Sequence, residues 1–239
     1  MKRFLLLLAL VPSVALAAPH ADGTVRQTAD SWTGAADEFD TVGRDQLLRL
    51  SSVLKDLKIG RAAKVADVGA GGGWLTVRLA RAVGPNGVVY AEEILPKYTN
   101  YIEQRVRRER LTSVRTVLGS TSDPKLPANT LDAAMILNAY HEFDQPLGML
   151  AKVKAAMKLG ARLGIIERDN PQLRREAQQA YARTGLILHR VSEKDDKNPL
   201  TDDHRLARDI VRREGEKAGF RFVGSRQLGE DNYLVVFQK

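Results

Sequence analysis

The chain has 239 residues, of which 44% are hydrophobic and none is cysteine. This composition is enough to bury one sizeable core, and it excludes both a disulfide framework and a cysteine-based metal site. The formal net charge of +8 favours anionic partners, although charge bears on association and solubility and not on fold.

Residues 1–17 have the pattern of a secretory signal peptide. A charged start is followed by an apolar run over residues 4–11 and by a small-x-small cleavage site that ends at Ala17. The apolar run is shorter than a membrane-spanning helix requires. We expect export to a bacterial periplasm with cleavage after Ala17, which leaves residues 18–239 as one domain without a transmembrane span. An uncleaved amino-terminal anchor is the alternative.

Two features precede the first predicted strand of the core. Apolar residues at helical spacing predict a helix from about Ala35 to Leu57. Arg44 and Asp45 on this helix are expected at the surface, and the alternative is that they face the site. Residues 64–75 then combine a short apolar run with a cluster of glycines, which predicts a buried strand, a tight turn and the start of a helix. Such a turn directs free N–H groups at a ligand.

The glycine spacing distinguishes between two kinds of nucleotide site. A dinucleotide-binding fingerprint needs a third glycine where this chain has Trp74. The frame that fits is acid-x-Gly-x-Gly-x-Gly, formed by Asp67, Gly69, Gly71 and Gly73. This frame resembles the first motif of class I S-adenosylmethionine-dependent methyltransferases.

The resemblance implies a cofactor, a fold and several site residues. The implied cofactor is S-adenosylmethionine, and the implied fold is a Rossmann-like, doubly wound α/β sheet of seven strands, mostly parallel with an antiparallel last strand. Asp67 would support the glycine turn or the amino group of the cofactor. The cofactor would be admitted at Gly69, Ala70, Gly71 and Gly73.

Two acidic residues end the second predicted strand, which covers residues 88–91. Glu93 lies 20 residues after Gly73, about where an acidic side chain meets ribose hydroxyls in nucleotide-binding folds. A carboxylate suits this position because it accepts two hydrogen bonds from a vicinal diol. The resemblance also assigns the role to Glu93. Glu92 is the alternative, since a one-residue slip reverses the face that a strand side chain occupies.

The loop at residues 119–127 follows the third predicted strand. It is similar to the segment that contacts adenine in methyltransferases related to quinone biosynthesis. Ser120 stands where that family has an aspartate, and the loop is two residues longer than the family pattern. The adenine contact is therefore open between Ser120, Thr121 and Asp123.

The fourth predicted strand, Leu131–Leu137, delivers polar residues to the carboxyl edge of the sheet, where doubly wound folds bind ligands. By resemblance, Asn138 is an active-site residue that also contacts the cofactor, and Tyr140 and His141 form the aromatic-His segment of small-molecule methyltransferases. His141 can take a proton near neutral pH, with Asn138, Tyr140 and Glu167 as positioning residues. The alternative is that His141 caps the next helix.

The remaining chain continues the alternation and then departs from it. The helix before the fifth strand is predicted to end at Gly160, and the strand itself covers residues 163–166. Residues 168–202 are polar and charged, and we expect them to form a lid that selects the substrate. Residues 220–228 and 233–237 are predicted as two final strands joined by a hairpin turn.

The partner predictions follow from charge and from the four histidines. The densest basic run is Arg105, Arg107, Arg108 and Arg110, which we interpret as a solvated helix face. No aromatic platform accompanies it, so nucleic-acid binding is not expected, while peripheral contact with an anionic membrane is compatible with the charge. The histidines do not form a ligand set, and no metal is expected.

These patterns together predict an exported S-adenosylmethionine-dependent methyltransferase that acts on a small-molecule acceptor. Aminopropyl transfer on the same fold is disfavoured because the segment after the fourth strand lacks an Asp-x-x-Asp pattern. The alternative function is a non-catalytic exported protein that binds S-adenosylmethionine or a related nucleoside.

Overall fold

The computed structural model describes residues 29–169 and 205–239. The predicted signal peptide, residues 1–17, and the part of the predicted lid at residues 170–202 lie outside the described residues. The described part contains one sheet of seven strands with helices on both of its faces.

The elements alternate along the chain as the sequence predicts. The strands are β1 (Lys64–Val68), β2 (Val88–Glu93), β3 (Val114–Leu118), β4 (Leu131–Leu137), β5 (Met157–Arg168), β6 (Arg221–Leu228) and β7 (Asn232–Gln238). The helices are α1 (Arg44–Leu47), α2 (Leu50–Asp56), α3 (Trp74–Val83), α4 (Pro96–Arg108), α5 (Pro146–Ala156) and α6 (Arg208–Lys217). A short 3-10 turn covers Tyr140–Glu142.

The strand order across the sheet is β3-β2-β1-β4-β5-β7-β6. Neighbouring strands are parallel except at β7, which is antiparallel to both β5 and β6. The predicted fold class, mostly parallel with an antiparallel last strand, is confirmed.

Helices cover both faces of the sheet, and this explains the apolar run of β1. One face packs against α2 and α3, with Val53 and Leu79 fully buried there, while α4 packs against β2 through Ile102. The other face packs against α5 and α6 through Leu150 and Val211. A strand that is covered on both faces has little room for polar residues except at its ends.

The strand order places β1 at the topological switch point of the sheet. Val68 at the end of β1 pairs with Glu92 of β2 on one side and with Ile136 of β4 on the other. The connections that leave β1 and β4 therefore diverge, which opens a crevice at the carboxyl ends of these strands.

The predicted long amino-terminal helix is wrong in its first half. Residues 29–43 form an irregular segment, here called the strap, and the helical part that follows is divided into α1 and α2. The division lies at Arg49, which has a left-handed backbone with φ of 49° that no α-helix continues through. Helical spacing of apolar residues in the second half extended the prediction too far toward the amino terminus.

The predicted end of the helix before β5 is also wrong. The helix ends at Ala156 and not at Gly160, because Met157 adopts an extended backbone with ψ of 148°. Met157 then pairs with Leu131 and is fully buried. Tertiary burial of this side chain outweighs the local helical pattern, so β5 begins six residues before the predicted strand at Leu163.

Candidate active site

A cavity of about 940 Å³ lies at the carboxyl ends of β1, β2 and β4. Its wall is formed by the glycine turn after β1, the strap, the end of β5 and the β6–β7 hairpin. Ligand pockets typically have volumes of about 300–1,000 Å³, so this cavity has room for a nucleoside together with a small second ligand.

The glycine turn brings two backbone segments close together. A Cβ at Gly69 would lie only 2.6 Å from the Cβ of Ala139, which belongs to the turn after β4. Gly71 has φ of 53°, and no atom of the described chain lies within 4 Å of a Cβ placed there. The first glycine thus permits close approach of two turns, whereas the second presents bare backbone to the cavity.

Gly73 is placed apart from the other predicted glycines. It does not line the cavity, although Gly69, Ala70 and Gly71 do. A Cβ at Gly73 would lie 3.0 Å from Cγ1 of Ile102, which is fully buried in α4. Gly73 also has φ of 75° and stands immediately before Trp74, the first residue of α3. We therefore expect Gly73 to serve helix packing, while its contact with a cofactor stays an untested prediction.

Both acidic residues at the end of β2 are bonded to the glycine turn. Glu93 accepts hydrogen bonds from the Gly71 N–H at 2.7 Å and from the Ile94 N–H at 2.9 Å. Glu92 accepts one from the Gly69 N–H at 3.3 Å. Both residues line the cavity, so the ribose role of Glu93 and the alternative at Glu92 stay predictions.

The carboxyl groups at this wall have pKa values above their ordinary range. Burial raises the pKa of Asp67 to about 7, an effect that the hydrogen bond from Thr76 Oγ1 at 2.6 Å opposes. Burial likewise raises the pKa of Glu92 to about 8, and the neighbouring Glu93 charge acts in the same direction. The pKa of Glu93 is also raised by burial, against its backbone hydrogen bonds. Strongly shifted pKa values of this kind are concentrated at functional sites.

Arg44 lines the same cavity, in agreement with the alternative that it faces the site and not with the expected surface position. Its guanidinium carbon lies 4.5 Å from the ring centroid of Trp74, and its Nη1 donates to the Phe39 carbonyl at 3.1 Å. Burial lowers the pKa of Arg44 to about 10, while the charge of Asp67 opposes this shift. The side chain stays a cation at neutral pH. Its place beside the glycine turn depends on the short helix α1 and on the irregular strap before it, where the sequence predicted one continuous helix.

The loop after β3 brings one of its three candidate residues to the cavity. Thr121 lines the wall, whereas Ser120 and Asp123 do not. Instead, the Ser120 N–H donates to the Asp123 carbonyl at 2.9 Å, and the Asp123 N–H donates to Ser120 Oγ at 3.1 Å. These two residues close the turn on itself, which leaves Thr121 as the candidate for an adenine contact.

His141 is held by a carboxylate from the neighbouring strand. Its Nδ1 lies 2.9 Å from Oε2 of Glu167, and its backbone N–H donates to Oε1 of the same residue at 3.2 Å. Glu167 is fully buried in β5, and the nearly buried His141 lines the cavity. Glu142 lies 3.8 Å from His141 Nε2 and accepts a hydrogen bond from the Trp32 N–H at 3.1 Å. An imidazole oriented by a carboxylate is a recurrent acid–base unit.

Asn138 and Tyr140 are placed differently from each other. Asn138 has φ of 50° and lines the cavity, and its Oδ1 accepts no hydrogen bond from residues 29–169 or 205–239. Tyr140 is fully buried outside the cavity wall, where its hydroxyl donates to Glu214 of α6 at 2.7 Å. His141 of the same 3-10 turn lines the cavity and Tyr140 does not, so the predicted ligand contact of Tyr140 stays untested.

The described residues contain neither a cluster suited to a metal ion nor a membrane-spanning helix. Among these residues, no group of three or more His, Cys, Asp or Glu side chains is arranged to hold a metal ion. None of the helices in this part of the chain combines the length and the apolar character that a bilayer crossing requires.

Comparison with known proteins gives a family for the central part of the chain. Residues 65–160 match the family described as "Methyltransferase domain". A demethylmenaquinone methyltransferase of Geobacillus sp. (strain WCH70) is 27% identical over 120 residues, which cover 50% of this chain and 51% of that protein. The chain thus spans about half the length of the curated relatives it matches.

Solved structures extend the likeness to most of the fold. A SAM-dependent methyltransferase from Aquifex aeolicus has a TM-score of 0.69 at 24% identity, with 84% of this chain and 95% of that chain covered. The cyclase SpnF has a TM-score of 0.62 at 13% identity, with coverage of 92% and 89%. The domain match and the relatives confirm the resemblance to methyltransferases of the quinone-biosynthesis type, and the solved structures show the same fold.

The two glycines Gly71 and Gly73 provide a matched pair of substitutions. We expect Gly71→Ala to weaken binding of S-adenosylhomocysteine about tenfold or more, because its methyl group would project into the cavity. Gly73→Ala should leave this affinity nearly unchanged but lower the free energy of unfolding by about 1–2 kcal/mol, since alanine is strained at positive φ. Calorimetric titration and urea unfolding measure the two effects. Equal loss of affinity in both variants would contradict the assignment of Gly73.

The buried acids predict a pH dependence of stability. An unfolded glutamate has a pKa of about 4.3, so between about pH 5 and pH 8 the native state binds more protons at Glu92 than the unfolded chain does. The free energy of unfolding should therefore fall as the pH rises through this window, with a further contribution from Asp67 below about pH 7.

Urea unfolding from pH 5 to pH 8.5 tests this dependence. Glu92→Gln keeps the shape of the side chain but cannot ionise, so its stability should fall less steeply with pH than that of the wild type. The matched control is Glu216→Gln, an exposed residue of α6, which should keep the wild-type slope. Parallel curves for all three proteins would show that Glu92 is ionised in the native state throughout the window.

Proposed function

We propose that this chain is an S-adenosylmethionine-dependent methyltransferase that transfers a methyl group to a small-molecule acceptor. The observation that carries the proposal is the cavity at the switch point. The glycine turn, Glu93 and His141 meet there, and all three lie within residues 65–160, which match the methyltransferase domain. Glu167 of β5, outside that match, holds His141 from behind.

The residues of the cavity wall fit the chemical groups of the cofactor. Glu93 offers a carboxylate for the ribose diol, and Arg44 offers a cation for the carboxylate of the methionine part. The Asn138 Oδ1, which has no partner in the described chain, can accept a hydrogen bond from the amino group, as can Asp67 when ionised. Thr121 lies on the loop assigned to adenine. The bare backbone at Gly71 leaves space that a side chain would fill.

The cofactor, when bound, supplies an electrophilic methyl group on a sulfonium. The chain's own residues orient the acceptor, exclude water and move a proton. Because Nδ1 of His141 is hydrogen-bonded to Glu167, Nε2 is the ring nitrogen that takes the proton of the acceptor. Glu167 would stabilise the imidazolium that forms, since it is buried and 2.9 Å away.

The wall beyond His141 suits an aromatic acceptor. Trp32, Phe143 and Met149 all line the cavity, and the Trp32 backbone N–H donates to the carboxylate of Glu142, the neighbour of His141. Flat apolar rings pack well against such side chains, and a ring hydroxyl would be the group that gives its proton to His141. Together with the demethylmenaquinone methyltransferase relatives, this supports small phenols and quinols as the first acceptors to test.

Direct detection of methyl transfer is needed because the fold alone does not specify the reaction. The similar fold of SpnF, which is named as a cyclase, illustrates this point. The first test is calorimetric titration with S-adenosylhomocysteine after the protein has been unfolded and refolded to remove carried ligand. We expect binding that Glu93→Ala abolishes and that the exposed control Glu216→Ala preserves.

The second stage of the same experiment measures transfer from methyl-labelled S-adenosylmethionine to a panel of phenols and quinols. His141→Gln and Glu167→Gln should each lower kcat by about 100-fold, the usual contribution of a general base, while cofactor affinity is retained. Binding without transfer to any acceptor would favour the non-catalytic binding protein. Absence of binding by folded wild-type protein would reject the proposal.

We further propose that the protein is exported, on the basis of the signal-peptide pattern at residues 1–17. Cell fractionation followed by amino-terminal sequencing tests this, with Ala18 as the expected first residue of the periplasmic protein. Recovery in the cytosol with an intact leader would contradict export. Because S-adenosylmethionine is made in the cytosol, an exported enzyme would have to carry its cofactor through folding or obtain it outside.

A further inference from the structure

Arg105 is an exception within the basic run of α4. The run was expected to form a solvated face, and Arg107 fits this expectation with a side chain that is 77% exposed. The side chain of Arg105 is only 8% exposed. It lies one turn from Ile102, on the side of α4 that packs toward the glycine turn and the sheet.

The guanidinium of Arg105 joins two segments that are distant in sequence. Its Nη1 donates to the Gly72 carbonyl of the glycine turn at 2.9 Å and to Oδ1 of Asp40 in the strap at 3.0 Å. Its Nε lies 3.5 Å from Oε1 of Glu109. Hydrogen bonds that involve charged groups are about twice as strong as neutral ones, and a buried cation that loses its partner is costly.

The strap also touches the glycine turn directly. A Cβ at Gly72 would overlap the Ala36 carbonyl oxygen, so the strap backbone lies against the turn at this point. Two residues before Ala36, the Gly34 carbonyl accepts a hydrogen bond from the Tyr98 hydroxyl of α4 at 3.1 Å, which fixes the strap at a second point. Trp32 and Ala36 line the cavity from the strap side. A ligand in the cavity is therefore held between the strap and the turn.

We propose that Arg105 is a positioning residue that couples closure of the strap to the glycine turn. This inference rests on the proposed function only for the identity of the ligand that occupies the cavity. A ligand that orders the turn favours the closed strap through Arg105, and by linkage the closed strap slows release of the ligand. Asp40 is the strap side of this coupling, and the Gly72 carbonyl is the turn side.

Hydrogen–deuterium exchange of the ligand-free protein tests the coupling without any cofactor. Arg105→Met should increase exchange both at residues 35–43 and at the glycine turn, whereas Asp40→Asn should increase it mainly in the strap. Arg107→Met is the matched control on the same helix and should leave both segments unchanged. If Arg105→Met alters the core too broadly, Asp40→Asn decides the test, because Asp40 is about one-third exposed and lies outside the core.

Release of S-adenosylhomocysteine gives the second measurement. The chain has two tryptophans, Trp32 in the strap and Trp74 at the start of α3, so stopped-flow fluorescence reports on both walls of the cavity. Arg105→Met and Asp40→Asn should each release the ligand about tenfold faster, as expected for loss of a part-buried charged hydrogen bond. Arg107→Met should match the wild type.

The outcomes separate this inference from the proposed function. Unchanged exchange in the strap of Asp40→Asn, or release as slow as in the wild type, would overturn the role of Arg105. If the wild type does not bind S-adenosylhomocysteine, the proposed function fails, and the exchange experiment still decides whether Arg105 couples the strap to the turn.

Discussion

The site depends on the close approach of two backbone turns at the switch point of the sheet. The turn after β1 meets the turn after β4 where Gly69 faces Ala139, and any side chain at Gly69 would separate them. This approach lets residues from both halves of the sheet line one cavity. The glycine turn and Glu93 come from one side, and Asn138 and His141 come from the other, so the strand order itself assembles the site.

The same geometry buries acidic side chains. Burial of a charged carboxylate lowers the stability of the folded state. Asp67, Glu92 and Glu93 all have raised pKa values, with burial as the main cause. A fold selected only for stability would place apolar side chains at such positions. Here the carboxyl groups instead hold the amides of the glycine turn, as the bonds from Gly69 and Gly71 show. The wall therefore combines a glycine turn with buried carboxyl groups, two of which change charge near neutral pH.

Local patterns predicted the strands and the chemistry of the site better than they predicted its packing. The bounds of β3 and β4 and the position of the glycine turn follow from short apolar runs that end in glycine or polar residues. The burial of Arg105, the inward hydroxyl of Tyr140 and the packing role of Gly73 depend on residues far away in sequence. From sequence alone, a basic helix face is predicted to be exposed to solvent, because the spacing of its residues does not show that the strap contacts it.

The strap contacts both halves of the cavity, and this relates cofactor binding to acceptor binding. At its start, the Ala29 N–H donates to the His141 carbonyl at 3.2 Å, and the Trp32 N–H donates to Glu142. Further along, Ala36 lies against Gly72, and Asp40 is bonded to Arg105. One continuous segment thus touches both the acid–base unit and the glycine turn. Displacement of the strap from either half would open the other to water, so the two half-sites are expected to close as one unit.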